Sequence, residues 1–133
     1  MTMTFHLQIV TPDGGFFDGE AEKLIVRAKG GDVCILPRHA PYVTALGIGE
    51  ATVVLGGDLR RKAACAGGML SVTGDDVRLV ATTFEWAEDI DKARAQRAEE
   101  KARKKMETAQ NAAELELAKA KLYRALTRIK AAG

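Results

Sequence analysis

Three arginines are the residues best placed to do chemistry together in this chain. Arg124 and Arg128 stand at i and i+4 and would share one face of a helix. If the chain before them folds back at Asn111, antiparallel register sets residue 94 opposite residue 128, and Arg94 joins the same patch. Guanidiniums brought together repel, an anion relieves the repulsion, and phosphate suits the planar fork of arginine. Glu85 and Asp91, near the same end, could accept hydrogen bonds from a base or a ribose. The competing reading is a solvated basic face whose arginines never meet, because a turn at Asn111 with no Gly or Pro to pin it can slip by several residues.

No catalytic set accompanies them. His39 lies between Pro37 and Pro41 with no serine or cysteine nucleophile in a recognisable context, and His6 sits on a strand. Packed or hydrogen-bonded histidines are the default at such places. The pairs Gly14-Gly15, Gly30-Gly31, Gly56-Gly57 and Gly67-Gly68 fall between strands, so none forms a phosphate loop feeding a helix. Cys34 and Cys65 fit no metal-ligand spacing and are expected as buried, reduced thiols. The body reads as a scaffold and not as an enzyme.

The elements that must position the arginines divide at Glu85 to Ala95. Before that stretch short strands are punctuated by glycines; after it there is no Pro and no Gly until Gly133. The expected division is residues 1–84 as a β body and 85–133 as a helical tail. In the body Phe5, Leu7 and Ile9 alternate with His6, Gln8 and Val10, the pattern of a half-buried strand. Further strands are expected at Phe16 to Gly19, Ala21 to Ala28, Val33 to Leu36, Tyr42 to Leu46, Ala51 to Leu55, Leu59 to Ala66, Met69 to Thr73 and Val77 to Thr82. Gly56-Gly57-Asp58 reads as a hairpin turn, and Gly67-Gly68 as a bulge or a close backbone approach. Strands this short imply an antiparallel sandwich or flattened barrel.

The tail opens on Glu88, Asp89 and Asp91, whose charge suits a first helical turn, with Asp89 expected as the N-cap. Ala95, Ala98, Ala102, Met106, Ala109 and Ala113 form a narrow stripe of small residues at helical spacing. Leu115, Ala118, Leu122, Ala125, Leu126 and Ile129 form a broader one. Asn111 with Glu114 resembles a capping box between them. The break is weak, so a hairpin and one continuous helix of roughly 60 Å should lie close in energy. The alanine stripe buries little area, and neither form is locked by its own packing.

The formal charge of +2 over 133 residues is too slight to argue for nucleic acid or a membrane surface. Its distribution is more telling. Residues 1–84 carry 8 Lys/Arg and 9 Asp/Glu, residues 85–133 carry 12 and 9, and after Glu116 no acid follows. Lys119, Lys121, Arg124, Arg128 and Lys130 make a cationic end. Met1–Thr4 runs directly into strand-like sequence without the pattern of a signal or transit segment, and no apolar run reaches membrane-spanning length. A cytosolic protein, or one attached from the cytosolic side, is expected.

The run Gly31-Asp32-Val33-Cys34-Ile35-Leu36-Pro37-Arg38-His39-Ala40-Pro41-Tyr42-Val43-Thr44-Ala45-Leu46 closely resembles the signature of the epsilon subunit of bacterial F-type ATP synthase. Phe5 to Gly19 with its Thr11-Pro12-Asp13 turn, and Gly67-Gly68 ahead of a penultimate strand, are similar to the same family. Ile90-Asp91 followed by Arg94-Ala95 resembles the nucleotide-binding element of some members. The resemblance covers the whole chain in order, with Cys34 and Arg38 standing where the family usually has glycine. It implies a β-sandwich of about ten antiparallel strands followed by a two-helix α-hairpin domain. The function implied is that of a non-catalytic central-stalk subunit of the rotary, proton-translocating synthase. In that role the sandwich docks on the gamma subunit and the c-subunit ring, and the helices either fold against it or extend into the alpha and beta subunits and block ATP hydrolysis. The place implied is the cytoplasmic face of the bacterial cell membrane, peripherally and through the complex. No cofactor is required; ATP is the regulatory ligand in members that bind it. Their binding residues match Glu85, Ile90, Asp91, Arg94, Ala95, Arg124 and Arg128. Lys101 stands where such members carry an arginine, and lysine is not equivalent at a bidentate site. The rival class is a free-standing adaptor or a nucleic-acid binder using the basic C-terminal helix. Low total charge and the lack of aromatics among the basic residues speak against nucleic acid.

Overall fold

The computed structural model describes residues 3–133; Met1 and Thr2, the start of the segment that leads into the first expected strand, lie outside the described residues. The first strand, β1 (Phe5–Thr11), buries Phe5, Leu7 and Ile9 and turns their neighbours outward, as the alternation demands. It is followed by β2 (Gly14–Ala21), β3 (Lys23–Ala28), β4 (Gly31–Ile35), β5 (Tyr42–Ala45), β6 (Ile48–Val54), β7 (Arg60–Thr73) and β8 (Asp76–Trp86). The expected strand Ala21 to Ala28 is interrupted at Glu22, whose N–H donates to Val54 O across the sheet.

Eight strands stand where the sequence pattern marks nine, because Leu59 to Ala66 and Met69 to Thr73 are one strand that bends. The N-terminal half of β7 pairs with β6 and its C-terminal half with β5, while β8 follows it throughout. β1 joins the start of β8 in parallel, the one departure from antiparallel pairing among the described strands. β7 and β8 thus pass from one layer of a sandwich to the other and enclose a single core. Leu7, Ile9, Leu24, Val53, Leu70 and Leu79 are wholly inaccessible within it. The bend is at Gly67-Gly68, both at positive φ (70° and 117°). Gly67 N–H donates to Gly47 O, and Gly68 O accepts from Leu46 N–H. A Cβ on Gly68 would stand 1.9 Å from Val80 O, so the glycine pair is a close backbone approach.

The prolines hold Leu36 to Pro41 out of the ladder, as expected. Arg38 lies in the left-handed region at φ 63°, a conformation that favours glycine. Its N–H donates to Asp75 Oδ1 at 3.2 Å and ties the loop to the β7–β8 turn. Cys34 does not meet the expectation of a buried thiol: it alternates outward on β4 and is exposed. Cys65 is buried in the core, and burial pushes its thiol up to about 12.

The last strand runs four residues past the expected Thr82. Phe84 and Trp86 belong to the core, so the alternation that buries them sets Glu85 on the other face. The Arg61 guanidinium lies 3.8 Å from the Trp86 ring centroid and pairs with Glu88, whose carboxyl it holds below the ordinary range. This clamp fixes the turn into the tail. The helices are α1 (Lys92–Glu107) and α2 (Ala112–Ala132). α1 is capped by Asp91, not by Asp89 as expected: Asp91 Oδ1 accepts from Arg94 N–H at 3.1 Å, and Asp89 closes a short turn before it. The break at Asn111 is where the sequence puts it. Asn111 Oδ1 accepts from Glu114 N–H, and Glu114 Oε2 accepts from Gln110 N–H, both at 2.9 Å.

Gly68→Ala is expected to cost the sandwich about 3–5 kcal/mol, read as a lowered urea midpoint. Gly14→Ala, at φ 111° but with open space around its Cβ, should cost only about 1–2 kcal/mol. Equal effects would remove the close approach as the reason for glycine. A thiol reagent at neutral pH should modify Cys34 alone in the native chain and Cys65 only after unfolding; rapid loss of both thiols would contradict the burial of Cys65.

Candidate functional site

The site is assembled from the end of β8, the turn after it and both helices. α1 turns Ala95 and Ala102 inward, and α2 turns Ala118, Leu122, Ala125 and Ala131 inward; all six are buried. Small side chains let the two backbones approach, and the longer residues beside the seam are carried to its edges. Arg94, Arg124 and Arg128 are three of these.

The antiparallel register brings Arg94 and Arg128 to one cavity of about 330 Å³, lined also by Glu85, Asp89, Ile90, Asp91, Ala95 and Ala98. Six of the seven residues expected at the site therefore line a single hollow. Arg124, the seventh, lines an adjoining hollow of about 210 Å³ with Arg128, Ala98, Lys101, Ala102, Lys105 and Lys121. Arg128 and Ala98 line both. The first lies at the lower end of the range of small-ligand pockets, about 300–1,000 Å³, and the second below it.

Two features bear on the gathering of guanidiniums with few carboxylates beside them. Arg128 Nε donates to Glu85 Oε1 at 3.1 Å, so that guanidinium already has a carboxylate. Asp91 gives one oxygen to the helix cap and keeps the other free. With Asp91 as N-cap, Ile90 and Ala95 occupy the N′ and N4 positions of a hydrophobic staple. The run Ile90-Asp91-x-x-Arg94-Ala95 thus starts a helix as well as lining a cavity. The signal for this was in the sequence, in an apolar residue before an aspartate that is followed by three good helix formers.

The sequence reading also missed Lys105 and Lys121 of the second hollow. Their meeting depends on the register of the hairpin, which the spacing of alanines alone does not fix. A third hollow of about 300 Å³ separates α2 from the sandwich, between Arg124, Thr127 and Arg128 above and Phe16, Cys65 and Phe84 below. The histidines lie elsewhere. His6 bridges Asp18 at 2.5 Å and Asp76 at 3.3 Å, and these carboxylates raise its pKa; His39 Nδ1 meets Ala40 O at 2.7 Å. Among the described residues no group of three or more His, Cys, Asp or Glu is arranged to hold a metal ion.

A glycine-jointed sandwich followed by an alanine-seamed helix pair defines a two-part architecture that known proteins share. Residues 4–87 match the family described as ATP synthase, Delta/Epsilon chain, beta-sandwich domain, and residues 88–133 match its long alpha-helix domain. The chain belongs to this delta/epsilon family of ATP synthase subunits. Among its members it is similar to the ATP synthase epsilon chain of Caldicellulosiruptor saccharolyticus, at 39% identity over 95% of this chain and 91% of the relative. The epsilon chain of Bacillus velezensis is 38% identical over 98% of each. The fold also recurs in the cryo-EM structure of the Euglena gracilis mitochondrial ATP synthase (OSCP, F1 and c-ring, rotational state 1). The TM-score there is 0.80 at 20% identity, covering 90% of this chain and 76% of that one. Family membership makes the chain a subunit of the ATP synthase. No described helix is long and apolar enough to cross a membrane.

The Glu85–Arg128 pair has its side chains 39% and 35% exposed, so its coupling should be modest. A double-mutant cycle with Glu85→Gln and Arg128→Gln is expected to give less than about 1 kcal/mol, falling further in high salt. A salt-independent coupling above about 2 kcal/mol would show a desolvated pair and a tail docked more firmly than this geometry allows.

Proposed function

We propose that this chain is a central-stalk subunit of an F-type ATP synthase whose helical tail restrains ATP hydrolysis and is held folded by ATP. Residues 1–84 would be the docking unit and residues 85–133 the regulatory unit, with Glu85 and Trp86 the last strand residues before the hinge. The sandwich would dock on the gamma subunit and the c-ring, turning with the rotor at the cytoplasmic face of the cell membrane. Its outer face supports this. Val43, Met69 and Val80 are exposed on the neighbouring strands β5, β7 and β8, and Leu36 is exposed on the adjoining loop. The Euglena assembly that contains the same fold includes F1 and a c-ring. When the tail extends, Lys119, Lys121 and Lys130 would meet acidic surface on the alpha and beta subunits.

The observation that carries the nucleotide part is the joining of residues from both helices and from β8 around two hollows that share Ala98 and Arg128. Arg94 and Arg124 would take the phosphates. Arg128 would exchange its bond to Glu85 for a phosphate oxygen, freeing Glu85 for the ribose or base, and the unused oxygen of Asp91 would serve the base. The arrangement exists only while the helices are folded together. A ligand specific to one state stabilises it by about 2.7 kcal/mol at 100 times its dissociation constant. That is comparable to the difference expected between two poorly locked tail states.

The exposed Cys34 offers a label on the sandwich, and Ala132→Cys would supply the second. ATP is expected to hold the two dyes at the short distance, and Arg124→Ala should weaken this by about tenfold through the lost charge-assisted bonds. Asp91→Asn, which keeps the helix cap, should reduce discrimination of ATP from GTP. No change in distance up to millimolar ATP would leave regulation to the partner surfaces alone.

A further inference from the structure

The second hollow of the hairpin is unlike the first. Its lining contains five cations, Lys101, Lys105, Lys121, Arg124 and Arg128, and no carboxylate. Arg128 is answered by Glu85, but none of the ion pairs among the described residues involves Lys101, Lys105, Lys121 or Arg124. Glu99 pairs with Arg103, Glu116 pairs with Lys119, and Glu114 accepts from Gln110 N–H; Glu100 and Glu107 of α1 line no part of this hollow, and Glu114 faces Lys105 and Lys121 only across a separate hollow. Lys105, on α1, and Lys121, on α2, line this hollow together, and the neighbouring Lys121 lowers the Lys105 pKa. Folding the hairpin therefore concentrates positive charge that its own residues do not neutralise.

The hollow is also longer than the site described so far requires. Lys121 lies two turns of α2 before Arg128, roughly 10 Å along the axis, and Lys105 lies roughly 16 Å along α1 from Arg94. A nucleoside seated by Asp91 would put its phosphates among Arg94, Arg124 and Arg128 and leave Lys105 and Lys121 unanswered.

We infer that the seam of the folded hairpin binds linear condensed-phosphate chains longer than that of a nucleoside triphosphate, free or carried on a nucleoside, with Lys101, Lys105 and Lys121 holding the distal phosphates. The arginines supply forked contacts to the proximal phosphates, and the lysines act as point charges along a flexible chain. The inference rests on the nucleotide reading only where a nucleoside is attached; the phosphate trough is defined by its own cations. Each added phosphate would stabilise the folded tail further.

The test is calorimetry on the full chain at fixed salt with inorganic tripolyphosphate, ATP and adenosine tetraphosphate. The proteins are wild type, the double variant Lys105→Ala with Lys121→Ala, and Asp91→Asn. Exposed lysine to alanine changes in helices keep helix propensity, and circular dichroism checks the fold. Wild type is expected to bind the tetraphosphate about tenfold tighter than ATP, consistent with an added charge-assisted contact. The double variant should bring the two within about twofold while leaving ATP affinity within about twofold of wild type, because lysines that answer only the fourth phosphate are silent toward the third. Asp91→Asn should weaken ATP and leave tripolyphosphate unchanged. If ATP gains nothing over tripolyphosphate from its nucleoside while the tetraphosphate stays tighter than ATP, the nucleotide reading fails and the trough stands. Absence of tripolyphosphate binding, a tetraphosphate no tighter than ATP, or a preference that survives the double substitution would overturn the inference.

Discussion

The arrangement of the tail depends on how little apolar surface it buries. Of the six buried residues of the two helices five are alanines, and Leu122 is the only large one. An alanine side chain removes a single methyl from water, about 0.8 kcal/mol by the usual area scale, so the seam brings two helices together without holding them strongly. The polar supports are equally slight. Lys130 meets Glu50 at 3.7 Å and Arg128 meets Glu85 at 3.1 Å, both in contact with solvent. A ligand at the seam needs only modest affinity to decide whether the hairpin is populated. A leucine-rich seam would have made the same cavities permanent and any ligand irrelevant to the fold.

The stretch from Glu85 to Ala95 shows why a motif can be both structural and chemical. Trp86 anchors the sandwich, Arg61 and Glu88 fix the turn, Asp91 starts α1, and Ala95 is buried against the seam. Arg94 has a side chain left over for a ligand without a structural cost, whereas Glu85 must first release Arg128. Substitutions at Asp91 or Ala95 act on the helix first, and a loss of binding there does not by itself place either residue on the ligand. Asparagine at position 91 separates the two roles because it caps a helix nearly as well as aspartate.

Much of the fold was legible because it is written in local chemistry. Period-two burial in Phe5 to Ile9 located β1, the prolines located the loop after β4, and the Asn111 cap located the helical break. What escaped was set by contacts distant in sequence. Gly67-Gly68 reads as a bulge or a close approach, but that the strands on either side of it are one bent β7 shows only when β5 and β6 are seen to share it. Cys34 follows the alternation of a strand whose outward face the sequence does not declare. Asp89 and Asp91 are equivalent caps by composition; the clamp of Arg61 on Trp86 and Glu88 decides between them by consuming the first turn. At the site, Arg94 and Arg128 were placed together by counting residues across the break, whereas Lys105 and Lys121 depend on side-chain directions that counting does not supply.

Charge and packing act in opposite senses on the hairpin, and this distinguishes it from an ordinary helix pair. In one continuous helix Arg94 and Arg128 would be 34 residues and roughly 50 Å apart, far beyond the Debye length of about 8 Å at physiological salt, and they would not interact. Folding at Asn111 brings them to one cavity and sets Lys105 beside Lys121, so the folded state carries a repulsion that the extended state lacks. The alanine seam offsets that repulsion only in part, since it has little area to offer. An anion removes the repulsion and adds attraction on both helices, which is a larger differential effect than its contact with either helix alone. The sensitivity of the tail to a phosphate ligand would therefore come from the like charges gathered at the seam, and neutralising them by substitution should make the hairpin more stable on its own and less responsive to any anion.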